Sequence, residues 1–469
     1  MLQFIDSIND ILWSYVIIAL LIGCALYFTI RTKGFQFRML GEMCRVMAGR
    51  DAQQNKDSGD KRLGTFQAFA VSLASRVGTG NLAGVASAIF VGGPGAVFWM
   101  WMMALLGSAT GFVEATLAQL YKRKGKDAFY GGPAYYMETG LGQRWMGVIF
   151  SILMILTFGF ANNVLQSNVI LGSLNTTFGW SKLPVAIIMM VGIMAIIIGG
   201  IKRISLVTSY MVPFMAVAYL ILAIVIILLN ITKIPGVLRL IIDSAFGLRQ
   251  VGGGVVGLAV MQGIKRGLFS NEAGEGSAPN AAAIADTSHP AKQGLVQALG
   301  VFVDTLVICS CTAMIVIISG QYDSGKDGIE LTIAALNSLI GPVGVYFITA
   351  AVFLFAFTSI LGNYFYGENS LRFVTGNDSR KARVWLWVYR AIIALTIVGG
   401  AFGSLQDVWV WIDICMGLLT ICNLIAIVQL SKHAFFLLDN YKKQRKEGKE
   451  PQFHRSMMPQ IEKDLEAWD

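Results

Sequence analysis

The chain has 469 residues, of which 55% are hydrophobic and only 14% charged, with a mean hydropathy of +0.62 and a net charge of +9. Soluble domains carry about 25% charged residues, so this balance excludes a soluble globular class and points to an integral membrane protein. The positive excess needs no nucleic-acid partner, because membrane proteins collect Lys and Arg in their cytoplasmic loops.

A helical span needs about 20 apolar residues. The first candidate is 11–30, preceded by Asp6 and Asp10 and by no basic leader, so it reads as a retained span rather than a signal peptide. Arg31, Lys33, Arg38, Arg45, Arg50, Lys56, Lys61 and Arg62 follow it, which places the N-terminus outside and this loop inside. The amphipathic stretch 36–48 is too short to cross and reads as interfacial. Spans follow at 65–91, 95–121, 145–173, 182–201 and 204–230, then a second interfacial stretch at 235–248. The remaining spans are 251–283, 293–319, 342–371, 383–403 and 405–431, which makes eleven. Alternation puts Lys122-Arg123-Lys124, Lys202-Arg203, Lys292 and Arg380-Lys381-Arg383 inside, and the mainly acidic loop at Asp323, Asp327 and Glu330 outside. The tail beyond Lys432 is inside, and its charge predicts flexibility from about 436.

Cys24, Cys44, Cys309, Cys311, Cys415 and Cys422 lie mostly in apolar stretches and form neither a disulfide framework nor a metal site. His289, His433 and His454 read as loop or tail residues, so no span holds a Ser-His or His-Glu-x-x-His arrangement for an intramembrane enzyme. No Gly-x-x-x-x-Gly-Lys-Ser/Thr loop offers an ATP site, and nothing calls for an organic cofactor or fixes an oligomeric state.

Two spans are interrupted by glycine. The first reads Ser75-Arg76-Val77-Gly78-Thr79-Gly80-Asn81, and the second runs from Gly263 to Gly274 through Phe269-Ser270-Asn271-Glu272. Broken helices in corresponding positions of two halves are the best sequence pointer to a transporter's binding site. They bare backbone N–H and C=O groups that membrane depth tolerates only along a cavity. The helix resuming at Asn81 offers N–H groups near Thr79 and Gly80 to an anion such as an amino-acid carboxylate. The half ending near Val77 offers carbonyls to a cation. The competing interpretation is a pair of packing glycines.

Four motifs carry a resemblance: Val-Gly-Thr-Gly-Asn at 77–81, Gly-Gly-Pro-Gly-Ala with Phe-Trp-Met-Trp at 92–101, Gly-Gly-Pro-Ala-Tyr-Tyr-Met at 131–137, and Gly-Leu-Phe-Ser-Asn-Glu-Ala-Gly-Glu-Gly-Ser-Ala at 267–278. In this order the chain resembles the alanine or glycine:cation symporter family over nearly its whole length. The resemblance implies an all-α, leucine-transporter-like fold, a five-plus-five inverted repeat with one extra N-terminal helix. The expected division is 1–63 for the extra span and basic loop, 64–250 and 251–431 for the two repeats, and 432–469 for the cytoplasmic tail. It also implies uptake of a small neutral amino acid coupled to Na+, or in some members to protons, across a bacterial inner membrane.

By this resemblance Thr79 and Gly80 hold the substrate carboxylate. Sodium takes the carbonyls of Ala74 and Val77 with the hydroxyls of Thr358 and Ser359, Ser359 is also expected to contact the substrate, and Asn81 aligns with a substrate-linked sodium position elsewhere in the fold. The alternative for Thr358 and Ser359 is bonding back to their own helix. Gln166, in the polar run Asn162-Asn163-Val164-Leu165-Gln166-Ser167-Asn168, is given a substrate contact, whereas Asn162 and Asn168 read as interhelical contacts. Phe269, Ser270 and Asn271 are expected to line the pocket. Arg76 is expected to pair with Glu114, Glu272 or Glu275 as a gate or strut. One departure concerns selectivity: many members carry Gly-Trp where this chain has Gly362-Asn363. Asn is smaller and adds a donor and an acceptor, which predicts a roomier pocket able to take a glutamine-like side chain beside alanine and glycine. An ion channel is the alternative from another class; it needs a continuous pore lined by ligand rings.

Overall fold

A computed structural model describes residues 9, 11–49, 63–125, 128–247, 253–376, 379–402 and 405–468. Asp6, Asp10, Arg50, Lys56, Lys61 and Arg62, used above to orient the chain, lie outside the described residues. Helix α1 (Leu12–Arg31) is followed by the short α2 (Phe35–Arg38) and α3 (Leu40–Ala48). The chain continues through α4 (Thr65–Arg76), α5 (Gly80–Gly92) and α6 (Gly95–Leu120). A two-residue hairpin (Arg123–Lys124 with Phe129–Tyr130) leads to α7 (Pro133–Leu141) and α8 (Arg144–Phe178). Next come α9 (Lys182–Ile197), α10 (Gly200–Leu229), α11 (Ile234–Ala245), α12 (Gly253–Asn271) and the single turn α13 (Pro279–Ala282). The last elements are α14 (Pro290–Ser319), α15 (Gly328–Ile340), α16 (Pro342–Thr375), α17 (Arg380–Gly399) and α18 (Leu405–Lys446).

Among the described residues eight helices are long and apolar enough to cross a membrane: α1, α6, α8, α10, α14, α16, α17 and α18. The all-α membrane class therefore holds. The helices nearest the two breaks are the most buried: α4 and the C-terminal half of α6 have almost no exposed side chains. By contrast α10 exposes Leu206, Tyr210, Phe214, Val217, Ile221 and Leu228 along one face, the surface expected of a helix turned to lipid. Helices α4, α12 and α16 converge between α6, α8 and α14, so the breaks sit inside the bundle.

Four local expectations change. First, α12 does not break at Gly263. A Cβ there would strike Ala96 O and Trp99, and Gly267 faces Met100, so these glycines admit α6 and the helix runs on to Asn271. The chain leaves the helix at Glu272, with left-handed backbone at Glu272 (φ 58°), Gly274 (φ 104°) and Gly276 (φ 85°). Second, the acidic loop contains α15: Asp327 caps it, accepting from Gly328 N at 2.5 Å, and also accepts from Ser87 Oγ at 2.6 Å. Third, His433 sits on α18, its Nδ1 2.8 Å from the Tyr121 hydroxyl. Fourth, the tail is docked. Helix α18 runs to Lys446, Phe453, Leu465 and Trp468 are buried, and Trp468 Nε1 donates to Gln119 O at 3.1 Å. Its apolar anchors, Met458 among them, outweigh the charge that suggested flexibility.

Candidate functional site

The first break follows from lost ladder bonds. Gly78 N–H turns to Arg76 O (3.0 Å) and Asn81 Oδ1 (2.9 Å), and Asn81 N–H to Gly78 O (3.3 Å). The carbonyls of Ala74 and Val77 thereby lose the donors four residues on that a continuous helix would supply. Ser359 Oγ, on α16, lies 2.9 Å from Ala74 O and 3.4 Å from Val77 O, and also 3.0 Å from Phe355 O of its own helix. Glycine at 78 and 80 is required by neighbours: a Cβ on Gly78 would strike Ser359 Oγ, and one on Gly80 would come within 2.9 Å of the Phe269 ring.

Of the expected sodium ligands, Ala74, Val77 and Ser359 therefore converge, and their hard oxygens suit an alkali cation. Thr358 does not join them. Its hydroxyl lies 3.1 and 3.0 Å from Leu354 O and Phe355 O and 3.6 Å from Met215 Sδ, the back-bonded alternative.

On the other side of the turn, Thr79 N–H donates to Gln166 Oε1 at 3.2 Å, while the Thr79 hydroxyl is buried without a partner among the described residues. Here a small cavity of about 10 Å³ opens, room for about one water. Ser75, Arg76, Gly78 and Gly80 line it from the first break, Phe158, Asn162 and Gln166 from α8, and Phe269, Glu272 and Asn363 from α12, its end and α16. Thus Gly80, Gln166, Phe269 and Asn363 share one cavity. Asn162 joins them there, whereas Asn168 donates to Gly400 O at 2.8 Å as an interhelical contact. The Phe269 ring stands edge-on to Trp409, 4.8 Å between centroids.

Ser270 and Asn271 turn away from this cavity. Ser270 Oγ donates to Asp304 Oδ2 at 2.7 Å, and Asn271 Nδ2 to Thr305 Oγ1 at 3.2 Å. Asp304 also receives Asn81 Nδ2 at 2.7 Å and Thr305 Oγ1 at 2.9 Å. It is fully buried and has no ion-pair partner within 4.0 Å among the described residues. Sequence reasoning passed over it, although a lone carboxylate within the apolar span 293–319 is itself a signal. Asn81 thus ties the turn to a carboxylate, its amide orientation fixed by Gly78 N–H.

Arg76 makes no ion pair within 4.0 Å among the described residues. Its Nη1 donates to Gln297 O at 3.3 Å, and its Nε has no partner among the described residues. The glutamates are held by neutral groups instead: Glu272 by Ser75 (2.7 Å), Ser277 (2.6 Å) and Tyr366 (3.2 Å), and Glu114 by Asn423 (3.2 Å). Glu275 is buried with one oxygen unpartnered. Wider i→i+5 turns occur at Gly80–Gly84, Ile155–Ala161 and Phe302–Cys309, beside or around Asn81, Asn162 and Asp304. Such turns cluster at functional sites.

Residues 1–455 match the sodium:alanine symporter family. A probable sodium/glutamine symporter of Bacillus subtilis (strain 168), GlnT, is 48% identical over 98% of this chain and 94% of its own length. The amino-acid carrier protein AlsT of the same organism is 46% identical over 98% of this chain and 96% of its own. A sodium/proton-dependent alanine carrier of Bacillus sp. (strain PS3) is 37% identical over 85% and 92%. The chain is therefore a multi-pass membrane transporter rather than an enzyme, and it belongs to the sodium:alanine symporter family.

Proposed function

We propose that this protein is a sodium-coupled symporter of small neutral amino acids, of the alanine and glycine class and extending to glutamine, in a bacterial inner membrane. The observation that carries the reading is the first break, where two freed carbonyls meet Ser359 on one side and, on the other, Thr79 N–H is held by the cavity-lining Gln166. Sodium would take Ala74 O, Val77 O and Ser359 Oγ. The substrate carboxylate would displace Gln166 Oε1 at the turn, leaving the Gln166 amide free to bond the substrate. Phe269 would close the apolar side. The two five-span sets, 64–250 and 251–431, would rock about this site in alternating access, N-out and C-in. Coupling follows if sodium, by tying α4 to α16 through Ser359, binds one arrangement better than the other. Glutamine belongs in the reading for two reasons: the relative named for it, and Asn363 in the cavity wall.

The test is uptake of labelled alanine, glycine and glutamine into proteoliposomes with and without an inward sodium gradient. Saturable uptake that collapses without the gradient is expected. Gradient-independent or non-saturating flux would remove the symport reading and favour a channel. A second reading, coupling to protons, is favoured by Asp304, a buried carboxylate without an ion-pair partner among the described residues. Uptake driven by a pH gradient in sodium-free buffer, and lost in Asp304→Asn, would select it.

A further inference from the structure

Besides the glycine turn and Gln166, the cavity wall carries a second polar group. Asn162 is 4% exposed and lines the cavity, yet its Oδ1 accepts no hydrogen bond among the described residues. Beside it, Ser75 Oγ lies 2.7 Å from Glu272 Oε1 and 2.8 Å from Asn363 Oδ1. A hydroxyl has one proton to give, so these two acceptors compete for a single donor. The other Asn363 group, Nδ2, is already committed to Asn163 Oδ1 at 3.2 Å. Asn162 Oδ1 is thus left without a donor and two acceptors share the single Ser75 proton, while the unpartnered Arg76 Nε in the same wall is a donor. A buried acceptor without a donor carries a desolvation penalty, and a ligand bearing N–H groups would relieve it.

Position along α8 indicates which N–H groups. Gln166, whose Oε1 takes Thr79 N–H, marks the end where the carboxylate would sit. Asn162 is four residues earlier, on the same helix face and about 5–6 Å away between Cβ atoms. An α-ammonium shares its carbon with the carboxylate and stays beside the turn. A carboxamide at the far end of a side chain extends a helical turn further. We infer that Asn162, with the Ser75–Asn363–Glu272 group, forms a subsite that reads the side-chain carboxamide of the substrate, Asn162 Oδ1 accepting one of its N–H bonds. This rests on the symport reading above and adds to it a residue that separates glutamine from alanine. Alanine has no group to reach the subsite. A site built to hydrogen-bond a substrate group discriminates more strongly than one that only fits its shape.

The experiment measures glutamine and alanine uptake in proteoliposomes for the wild type, Asn162→Leu and Asn162→Ser. Leu keeps the bulk and removes the acceptor, whereas Ser keeps an acceptor oxygen. The expected result is a rise of about tenfold or more in the ratio of glutamine KM to alanine KM for Asn162→Leu and a smaller rise in that ratio for Asn162→Ser. Alanine uptake doubles as the check that each variant is folded. Parallel rises for both substrates in both variants would overturn the inference, because Asn162 would then serve the common amino-acid backbone or the fold. Unchanged glutamine KM values would overturn it too. A wild type that carries alanine with sodium but is not inhibited by glutamine would sink the subsite and leave the symport reading standing. A wild type with no sodium-driven uptake of either would sink both.

Discussion

The two breaks obey different rules. At the first, Val77 (φ −81°) and Thr79 (φ −62°) keep ordinary backbone, and glycine is demanded by the neighbours Ser359 and Phe269. At the second, glycine is demanded by handedness, with Gly274 and Gly276 at positive φ and Glu272 held there as a non-glycine. The first is a turn that bares backbone groups to other helices. The second is a corner from which Glu272 accepts a hydrogen bond from Ser75 of the first. The difference teaches that similar glycine runs can serve contact in one place and chain reversal in another.

The sharpest way to break this comparison is Gly78→Ala. The added methyl must displace Ser359 Oγ, so sodium-driven uptake should fall at least about 100-fold, on the order of 3 kcal/mol, while surface expression persists. Normal uptake would mean the close approach is not functional. Gly276→Ala probes the corner. Its φ of 85° and the contact with Asn423, Phe150 and Pro133 should cost about 1–3 kcal/mol of stability, seen as a lower melting temperature in detergent. Because the corner is not a binding turn, KM in the surviving protein should stay unchanged.

Ser359 and Thr358 sharpen the sodium side. Ser359→Ala should raise the half-activating sodium concentration about tenfold, roughly 1.4 kcal/mol, whereas Thr358→Ala should shift it by about twofold at most. Equal shifts would return Thr358 to the ligand set. The smallest effect concerns the docked tail. His289 caps α14 by accepting Ala291 N at Nδ1 (3.1 Å) and meets Asn440 Oδ1 through Nε2 (3.2 Å). Burial pushes its pKa down to about 4 from an ordinary 6.5. The depressed value means the neutral ring stabilises the fold above pH 6.5 and this contribution fades as pH falls towards 4. Phe453 N–H donates to Ser288 O at 2.9 Å beside it. Proteolysis of the tail should therefore quicken about threefold from pH 7 to pH 6. His289→Gln should flatten that dependence.

Much of this was legible in the residues. Long apolar runs mark the crossing helices because lipid demands length and hydrophobicity together, and Val77-Gly78-Thr79-Gly80 marks the first break because its two glycines stand a single residue apart beside the polar Thr79 and Asn81. The second break was placed too early: Gly263 and Gly267 look identical in sequence to glycines that end helices, and only the approach of Ala96, Trp99 and Met100 shows what they are for. Thr358 and Ser359 are adjacent hydroxyls, and which one faces the break depends on the rotation of α16. Asn162 and Asn168 differ in the same way on α8, one facing a cavity and the other Gly400. Asp304 stood in plain view, but its partners Asn81 and Ser270 come from two other helices. The docked tail depends on scattered apolar anchors, Phe453, Met458, Leu465 and Trp468, among many charges.

The most direct test is a density map of the protein in bilayer discs with sodium and alanine bound. The account predicts amino-acid density with its carboxylate on the Thr79–Gly80 amides and a separate ion among Ala74 O, Val77 O and Ser359 Oγ. Alanine density elsewhere, with that turn closed on Gln166 as before, would contradict it.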